Sequence, residues 1–265
     1  MGRGPQRLAP RFLEKIWGSE RLEPLFPNRG LRIGEAWLEG SDPLPLLIKF
    51  IFTTEKLSVQ VHPGDEYAAR HHNSKGKTEM WHVVAAEPGA QVAAGFVEPL
   101  SQEQLREAAE SGKIEQLLQW YDARPGDTFF LPAGTVHAIG GGLVMCEIQQ
   151  QSDVTYRLYD YGRGRELHLD HGLAVSHREP YDPRAESTEG LLVACDYFTT
   201  SLVKVRGSLE LPGAGQFVVV IRGKGRVAGE AARPGDVWFA ESGVVEAEGE
   251  LDLIVASASS SMPVI

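Results

Sequence analysis

Two stretches of this chain repeat one pattern at a constant offset of 109 residues, and this repeat constrains the fold more than any other feature. The first reads Arg124-Pro-Gly-Asp-Thr-Phe-Phe-Leu-Pro-Ala-Gly-Thr-Val-His137, and the second reads Arg233-Pro-Gly-Asp-Val-Trp-Phe-Ala-Glu-Ser-Gly-Val-Val-Glu246. Each copy contains a turn, a strand, a second glycine and another strand. The repeat therefore predicts two related β units in one chain.

The two copies differ at positions that could carry chemistry. Glu241 replaces Pro132 in the second copy, and Glu246 replaces His137. Because the second copy keeps the turns and strands but lacks the imidazole, we expect the second unit to be structural, without metal ligands.

The spacing of glycine and proline predicts an all-β protein. The 29 Gly and 16 Pro residues fall between short runs of Val, Ile and Phe, as in strands that are joined by tight turns. The exception is a segment near 101–121, where Ser101 and Gln104 have capping-box spacing and Ile114 to Trp120 continues as a second short helix. We expect a short helical insertion in the first β unit.

The polar, proline-containing segment 176–190 has the composition of a linker. The predicted division is a first unit over 1–180, with N-terminal strands and the helical insertion, and a smaller β unit over 190–265.

Charge and hydropathy exclude several classes of partner. The formal net charge of −10 argues against nucleic acid and anionic membranes as general partners, since both need a basic face, although a basic pocket for a small anion remains possible. Neither a signal peptide nor a membrane span is indicated, and we expect a cytoplasmic protein. Cys146 and Cys195 lack the spacing of a thiolate metal site, and they are expected to be free thiols, with one disulfide as the alternative.

Four polar residues have the chemistry of metal ligands. Gln60 and His62 alternate with Val59 and Val61, so the two polar side chains project from the same face of a strand. Glu79 begins another strand-like segment.

His137 follows Pro132-x-Gly134, a rigid turn that could aim the imidazole into a barrel. Taken alone, Gln60 and His62 would form an ordinary exposed face, and His137 would only finish a turn. Their conjunction with Glu79 predicts a divalent metal site with imidazole and oxygen ligands.

Several motifs resemble those of a known enzyme family. Gly126-x5-Pro132-x-Gly134-x2-His137 is similar to the second cupin motif, whereas Gln60-x-His62 replaces the two histidines of the first. The chain resembles the short bacterial branch of the type I mannose-6-phosphate isomerases, in the cupin superfamily, over residues 10–180. The motifs that carry this resemblance are Trp17-Gly18, Gly34-Glu35-x-Trp37, Leu57-Ser-Val-Gln-Val-His-Pro63, Gly76-Lys-Thr-Glu-Met-Trp81, Pro132-Ala-Gly-Thr-Val-His-Ala138 and Glu147-Ile-Gln-Gln-Gln-Ser-Asp-Val-Thr-Tyr-Arg-Leu-Tyr-Asp160.

The resemblance implies two cupin-type jelly-roll barrels. It also implies a zinc-dependent interconversion of mannose 6-phosphate and fructose 6-phosphate, with one zinc per chain and a small phosphorylated sugar as substrate. The family's metal ligands correspond to Gln60, His62, Glu79 and His137, and its essential arginine corresponds to Arg157.

Four residues are candidates for catalysis. Moving a proton between C1 and C2 needs a base and a group that stabilises the developing oxyanion. Arg157 could bind phosphate or the enediolate through its planar fork, or it could only pair with Asp153 or Asp160.

Lys77 would share a strand face with Glu79. Lys49 would have a lowered pKa if buried, or would extend to water from an edge strand. Asp153 could transfer a proton or orient Arg157. The base stays open among these residues and a metal-bound water. A metal-dependent cupin oxygenase and a non-catalytic sugar-phosphate binder are the alternative functions, because a fold by itself does not determine chemistry.

Overall fold

The computed structural model describes residues 4–185 and 190–259, and these residues form an all-β protein, as predicted. The elements of the first part of the chain are β1 (Gln6–Arg7), β2 (Ala9–Ser19), β3 (Ile33–Glu39), β4 (Leu46–Phe52), β5 (Val59–Val61), α1 (Asp65–His72), β6 (Glu79–Ala86), β7 (Gln91–Phe96), α2 (Gln102–Ser111), α3 (Ile114–Leu117), β8 (Leu118–Asp122), β9 (Thr128–Leu131), β10 (His137–Ile139), β11 (Leu143–Gln150), β12 (Tyr156–Tyr159) and α4 (Leu169–Val175).

The second part of the chain contains strands alone among its described residues. They are β13 (Leu191–Ala194), β14 (Phe198–Pro212), β15 (Gln216–Val227), β16 (Glu230–Ala232), β17 (Val237–Ala240) and β18 (Val244–Ala258).

Two antiparallel sheets of the first part face each other. The six-stranded sheet has the order β2-β3-β4-β11-β6-β9, and the five-stranded sheet has the order β12-β5-β10-β7-β8. Side chains from both sheets, such as Ile51, Trp81, Val92 and Ile139, form one buried cluster between them. The site described below lies among the strands that enclose this cluster.

Strand β4 is buried along its whole length because both of its faces are covered. Ile51 packs into the cluster between the two sheets. Ile48, Phe50 and Phe52 pack instead against residues of the second part, including Phe217. A strand that is buried on both faces is continuously apolar, as β4 is apart from Lys49.

The sequence repeat corresponds to a repeated turn. In the first copy the side chain of Asp127 accepts a hydrogen bond from the backbone N–H of Arg124 at 2.8 Å, and in the second Asp236 accepts from Arg233 at 3.0 Å. The glycine between each pair has a positive φ, 98° and 90° respectively, which favours glycine at both positions. The repeat therefore reflects one backbone motif that occurs twice.

Strand pairing is repeated as well. In the first part β11 lies between β4 and β6, and β6 pairs with β9. In the second part β18 lies between β14 and β15, and β15 pairs with β17. The six strands of the second part nevertheless lie, together with β1, in one seven-stranded sheet, because the longest strands continue without a break. Closure of this sheet into a second jelly-roll barrel stays a prediction.

The helical insertion begins as predicted and ends earlier than predicted. Ser101 accepts a hydrogen bond from the backbone N–H of Gln104, and the Gln104 side chain accepts one from the backbone N–H of Ser101, which completes a capping box. The second helix ends at Leu117, however, and the prediction of helix over 118–120 was wrong. These residues belong to β8 because they pair with β7.

The two parts of the chain are connected by packing and by the pairing of an N-terminal strand with the second part. Strand β1, from the N-terminus, pairs with β17 of the second part. In the segment predicted as a linker, the backbone C=O of Pro183 and N–H of Ala185 bond to β9, and residues 186–189 lie outside the described residues. The division at 180–190 stays a prediction. None of the described helices is long and apolar enough to cross a bilayer.

Candidate active site

Three predicted metal ligands converge at the ends of three strands. His62 directly follows β5, Glu79 begins β6 and His137 begins β10. β5 and β10 are neighbours in the five-stranded sheet, whereas β6 belongs to the facing sheet. The three side chains therefore meet between the two sheets, where one ligand atom from each lies within 4.8 Å of the others.

Backbone carbonyls orient both imidazoles toward Glu79. Nδ1 of His62 donates to the carbonyl oxygen of Val154 at 3.1 Å, and Nδ1 of His137 donates to that of Thr135 at 2.9 Å. Each Nε2 is left facing the carboxylate of Glu79, at 3.6 Å in both cases. A second hydrogen bond that fixes the tautomer in this way is typical of histidines that bind metals.

The protonation states also suit a cation. Burial, together with Lys77, lowers the pKa of His62 to about 3, and burial lowers the pKa of His137. Burial alone would raise the pKa of Glu79, but the ammonium of Lys77 holds it well below its ordinary value. The site thus presents two neutral imidazoles and one carboxylate, which is the form that binds a metal.

Two buried polar atoms of this triad have no hydrogen-bond partner among the described residues. They are Oε1 of Glu79 and Nε2 of His137. Unpaired buried polar atoms are costly, by roughly 1–3 kcal/mol each, unless another group satisfies them. The donor set and these free atoms fit a divalent cation.

Gln60 lies next to the triad in the five-stranded sheet. It is the register partner of His137 on one side and of Arg157 on the other. Its partly buried side chain lines a cavity of about 340 Å³. This position agrees with the strand alternation expected from the sequence, and the role of Gln60 as a ligand stays a prediction.

The same cavity brings together all four residues that the sequence nominated for catalysis. Lys49, Lys77, Asp153 and Arg157 line it. Lys49 lies on β4 and Arg157 on β12, whereas Lys77 lies in the segment before β6 and Asp153 in the loop after β11. The sequence-based expectation that they share one site agrees with this placement, and their individual roles remain predictions.

Lys77 connects the cavity to the metal triad. Its buried ammonium donates to Nε2 of His62 at 2.9 Å and also to the carboxylate of Glu79. A second carboxylate, that of Glu147, lies at 3.8 Å. A substrate in the cavity would therefore meet this amine directly beside the candidate ligands.

The expectation for the pKa of Lys49 was wrong. Burial by itself lowers the pKa of a lysine, but Glu147 and Glu35 together raise the pKa of Lys49. Its ammonium donates to Glu147 at 3.0 Å and lies 4.6 Å from the centre of the Trp37 ring. Since β4 has neighbours on both sides, the alternative of an edge-strand lysine is also wrong.

Arg157 faces the cavity, and the adjacent Tyr156 and Leu158 are buried on the opposite side of β12. Its Nη1 donates to the backbone carbonyl of Glu166 at 2.7 Å. No described carboxylate forms an ion pair with it, because Asp160 pairs with Arg165 instead. The alternative of a surface salt bridge with Asp153 or Asp160 was therefore wrong.

Asp153 is exposed at the rim of the cavity, in the loop between β11 and β12. No hydrogen bond joins its carboxylate to Arg157 within the described part of the chain. Its proposed role in orienting the arginine therefore has no contact to support it, while a role in proton transfer stays a prediction.

Glu147 is the important residue that sequence reasoning missed. Its buried carboxylate accepts from Lys49 at 3.0 Å and from Nε1 of Trp81 at 3.1 Å. In the sheet it lies directly between these two residues, which are its register partners on β4 and β6. An acidic residue inside the apolar strand β11 was the signal that could have identified it.

Comparisons with known proteins agree with this geometry. No protein-family profile matches the chain. The mannose-6-phosphate isomerase ManA of Bacillus subtilis is 38% identical over an alignment of 260 positions that covers 86% of this chain and 82% of that protein. The mannose-6-phosphate isomerase of Streptococcus mutans is 34% identical over an alignment of 274 positions, with coverages of 84% and 86%. The chain belongs to the mannose-6-phosphate isomerase family.

Solved structures support the same assignment. The crystal structure of the mannose 6-phosphate isomerase from Bacillus subtilis matches with a TM-score of 0.83 and 28% identity, covering 96% of this chain and 99% of that one. A mutant of phosphomannose isomerase from Salmonella typhimurium matches with a TM-score of 0.77 and 15% identity, covering 97% of this chain and 100% of that one, which supports the fold alone. The resemblance inferred from the sequence motifs is thereby confirmed.

Proposed function

We propose that this chain catalyses the zinc-dependent, reversible interconversion of mannose 6-phosphate and fructose 6-phosphate through an enediol. The observation that carries the proposal is the cavity itself, which joins two lysines and an unpaired arginine to a triad of two histidines and a glutamate. Family membership supports the choice of isomerisation over the oxygenase and the non-catalytic binder.

His62, Glu79 and His137 would hold the metal, with Gln60 as a fourth ligand. A bound zinc ion would supply a Lewis acid that polarises the oxygens on C1 and C2 of the sugar. Imidazole and carboxylate donors suit zinc, and one ion per chain follows from the single triad of this kind among the described residues.

The protein's own residues would bind the sugar phosphate and move the proton. Lys49 stays protonated because Glu147 and Glu35 face it, so it acts as a hydrogen-bond donor to a developing oxyanion and not as the base. Asp153, or Lys77 once its ammonium has given up a proton, remains the candidate for proton transfer between C1 and C2. The guanidinium of Arg157, which forms no ion pair with a described carboxylate, would bind an anionic oxygen of the substrate or the enediolate.

A coupled assay that starts from mannose 6-phosphate tests this function. We expect turnover and about one zinc per chain, with turnover lost on chelation and restored when zinc is added back. Metal content is measured independently by elemental analysis. Full activity in metal-free protein would contradict the metal dependence, and tight substrate binding without turnover at full zinc occupancy would favour the non-catalytic binder instead.

A further inference from the structure

Arg157 lies on an edge strand, and His168 takes the place of the missing neighbour. Strand β12 ends the five-stranded sheet, and β5 is its one partner among the described strands. On its open side, the backbone N–H of Arg157 donates to Nδ1 of His168 at 3.1 Å. The backbone N–H of His168 in turn donates to the carbonyl oxygen of Arg157 at 2.8 Å. One residue therefore satisfies both free backbone groups of the arginine.

The segment that carries His168 is itself fixed in place. Arg165 donates to the carboxylate of Asp160 from Nε and Nη2. Arg163 donates to the backbone carbonyl oxygen of Lys56 at 2.8 Å. After His168 the chain continues into α4, where Gly172 packs closely against β12: an added Cβ would lie 2.5 Å from Cδ2 of Leu158. The loop and helix thus hold His168 against β12 from both ends.

The guanidinium is held from the same segment. Nη1 of Arg157 donates to the carbonyl oxygen of Glu166, two residues before His168. Its Nε is buried without a partner among the described residues, while the group still lines the cavity. The direction of the guanidinium thus depends on how residues 166–168 sit against the strand.

We propose that His168 is a positioning residue for Arg157, whose unprotonated ring accepts the arginine's backbone N–H and releases it on protonation. The inference rests on the proposed function, since it assigns to Arg157 a contact with the reacting sugar. A protonated imidazole has no lone pair to accept a hydrogen bond, so the bond exists only in the neutral form.

The charges around His168 favour the neutral form. Burial has the largest effect and lowers the pKa of His168, and repulsion from Arg157, His171 and His72 lowers it further. Glu166 alone among these neighbours favours the charged ring, so the net shift of the pKa is downward. Tyr156, whose ring lies 6.3 Å away, adds no charge at neutral pH. The bond is therefore present at neutral pH and is lost only as the pH falls through the lowered pKa.

Two variants separate positioning from simple structural support. In His168→Asn the amide oxygen can accept the same N–H but does not titrate, whereas His168→Ala removes the acceptor at every pH. We expect His168→Ala to lower kcat about tenfold at neutral pH with little change in KM. We expect His168→Asn to retain the wild-type kcat at neutral pH. As the pH is lowered, its activity should fall at a lower pH than the activity of the wild type.

His71→Asn is the matched control, because His71 contacts Tyr67 and His171 but not Arg157. It should keep the wild-type pH profile. An unchanged kcat in His168→Ala, an equal loss in His168→Asn, or an acid limb that does not move in His168→Asn would each overturn the inference. Absence of isomerase activity in the wild type would instead overturn the proposed function. Thermal melting of all variants identifies any that fail to fold.

Discussion

At the scale of single residues, charge state is decided by neighbours that are distant in sequence. Lys49 keeps its proton although it is buried, because Glu147 and Glu35 approach it from the two adjacent strands. Arg157 keeps its guanidinium available because Asp160 is occupied by Arg165. The first residue is thereby suited to donate a hydrogen bond, and the second to bind an anion.

The role of Arg157 is tested by Arg157→Lys. Because a lysine cannot reproduce the planar fork, we expect kcat to fall by roughly 10²-fold while the zinc content stays at the wild-type level. Steady-state kinetics and elemental analysis measure the two quantities.

Arg206→Lys is the matched control for this substitution. Arg206 lies on β14 and pairs with Asp252, in the second part of the chain, so this variant should keep wild-type turnover. Wild-type turnover in Arg157→Lys would remove Arg157 from the proposed mechanism.

At the scale of elements, helices α2 and α4 cover the outer face of the five-stranded sheet. Leu105 and Ala109 of α2 and Leu173 of α4 join Tyr156 and Leu158 of β12 in one buried cluster. The helical insertion thus shields the strand that carries Arg157. Its start was predictable, because a capping box depends on residues three apart, whereas its end depended on the pairing of β8 with β7.

The capping box is tested by Ser101→Ala. We expect a loss of about 1 kcal/mol in the free energy of unfolding, because the hydrogen bond from the backbone N–H of Gln104 to the Ser101 hydroxyl is removed. Turnover should stay at the wild-type level, since α2 does not line the cavity. Urea denaturation gives the stability, with Ser208→Ala, an exposed serine of β14, as the control. Equal stabilities of the two variants would show that the cap contributes nothing.

At the scale of the whole molecule, one hydrophobic cluster joins the two parts of the chain. Ile48, Phe50 and Phe52 of β4 pack with Phe198 of β14 and Phe217 of β15. The outer face of β4 is therefore covered by the seven-stranded sheet of the second part, while the neighbouring Lys49 faces the cavity. The second part, which carries Glu246 in place of His137, thus contributes packing to the strand that supports the site.

The shared cluster predicts that the two parts unfold together. Phe217 is fully buried, and Phe217→Ala should lower the free energy of unfolding by about 3–5 kcal/mol. Far-UV circular dichroism and residual turnover, both followed against urea, should show coincident transitions at a lower midpoint.

Phe217→Leu, which retains most of the side chain, is expected to cost less. Two separate transitions, with turnover surviving the first, would contradict a single cooperative unit.

The all-β class, the repeated turn and the capping box were predictable from the sequence, as was the choice of His62, Glu79 and His137 as candidate metal ligands. These depend on short segments, in which glycine conformation and strand alternation act locally. Arg157 was identified through the family motif and not through pattern alone. The three-dimensional contacts were needed to show that Glu147 and Glu35 raise the pKa of Lys49, that Glu147 belongs to the site and that His168 completes the edge of β12. Strand register and edge pairing create these contacts between distant segments, so no local pattern could reveal them.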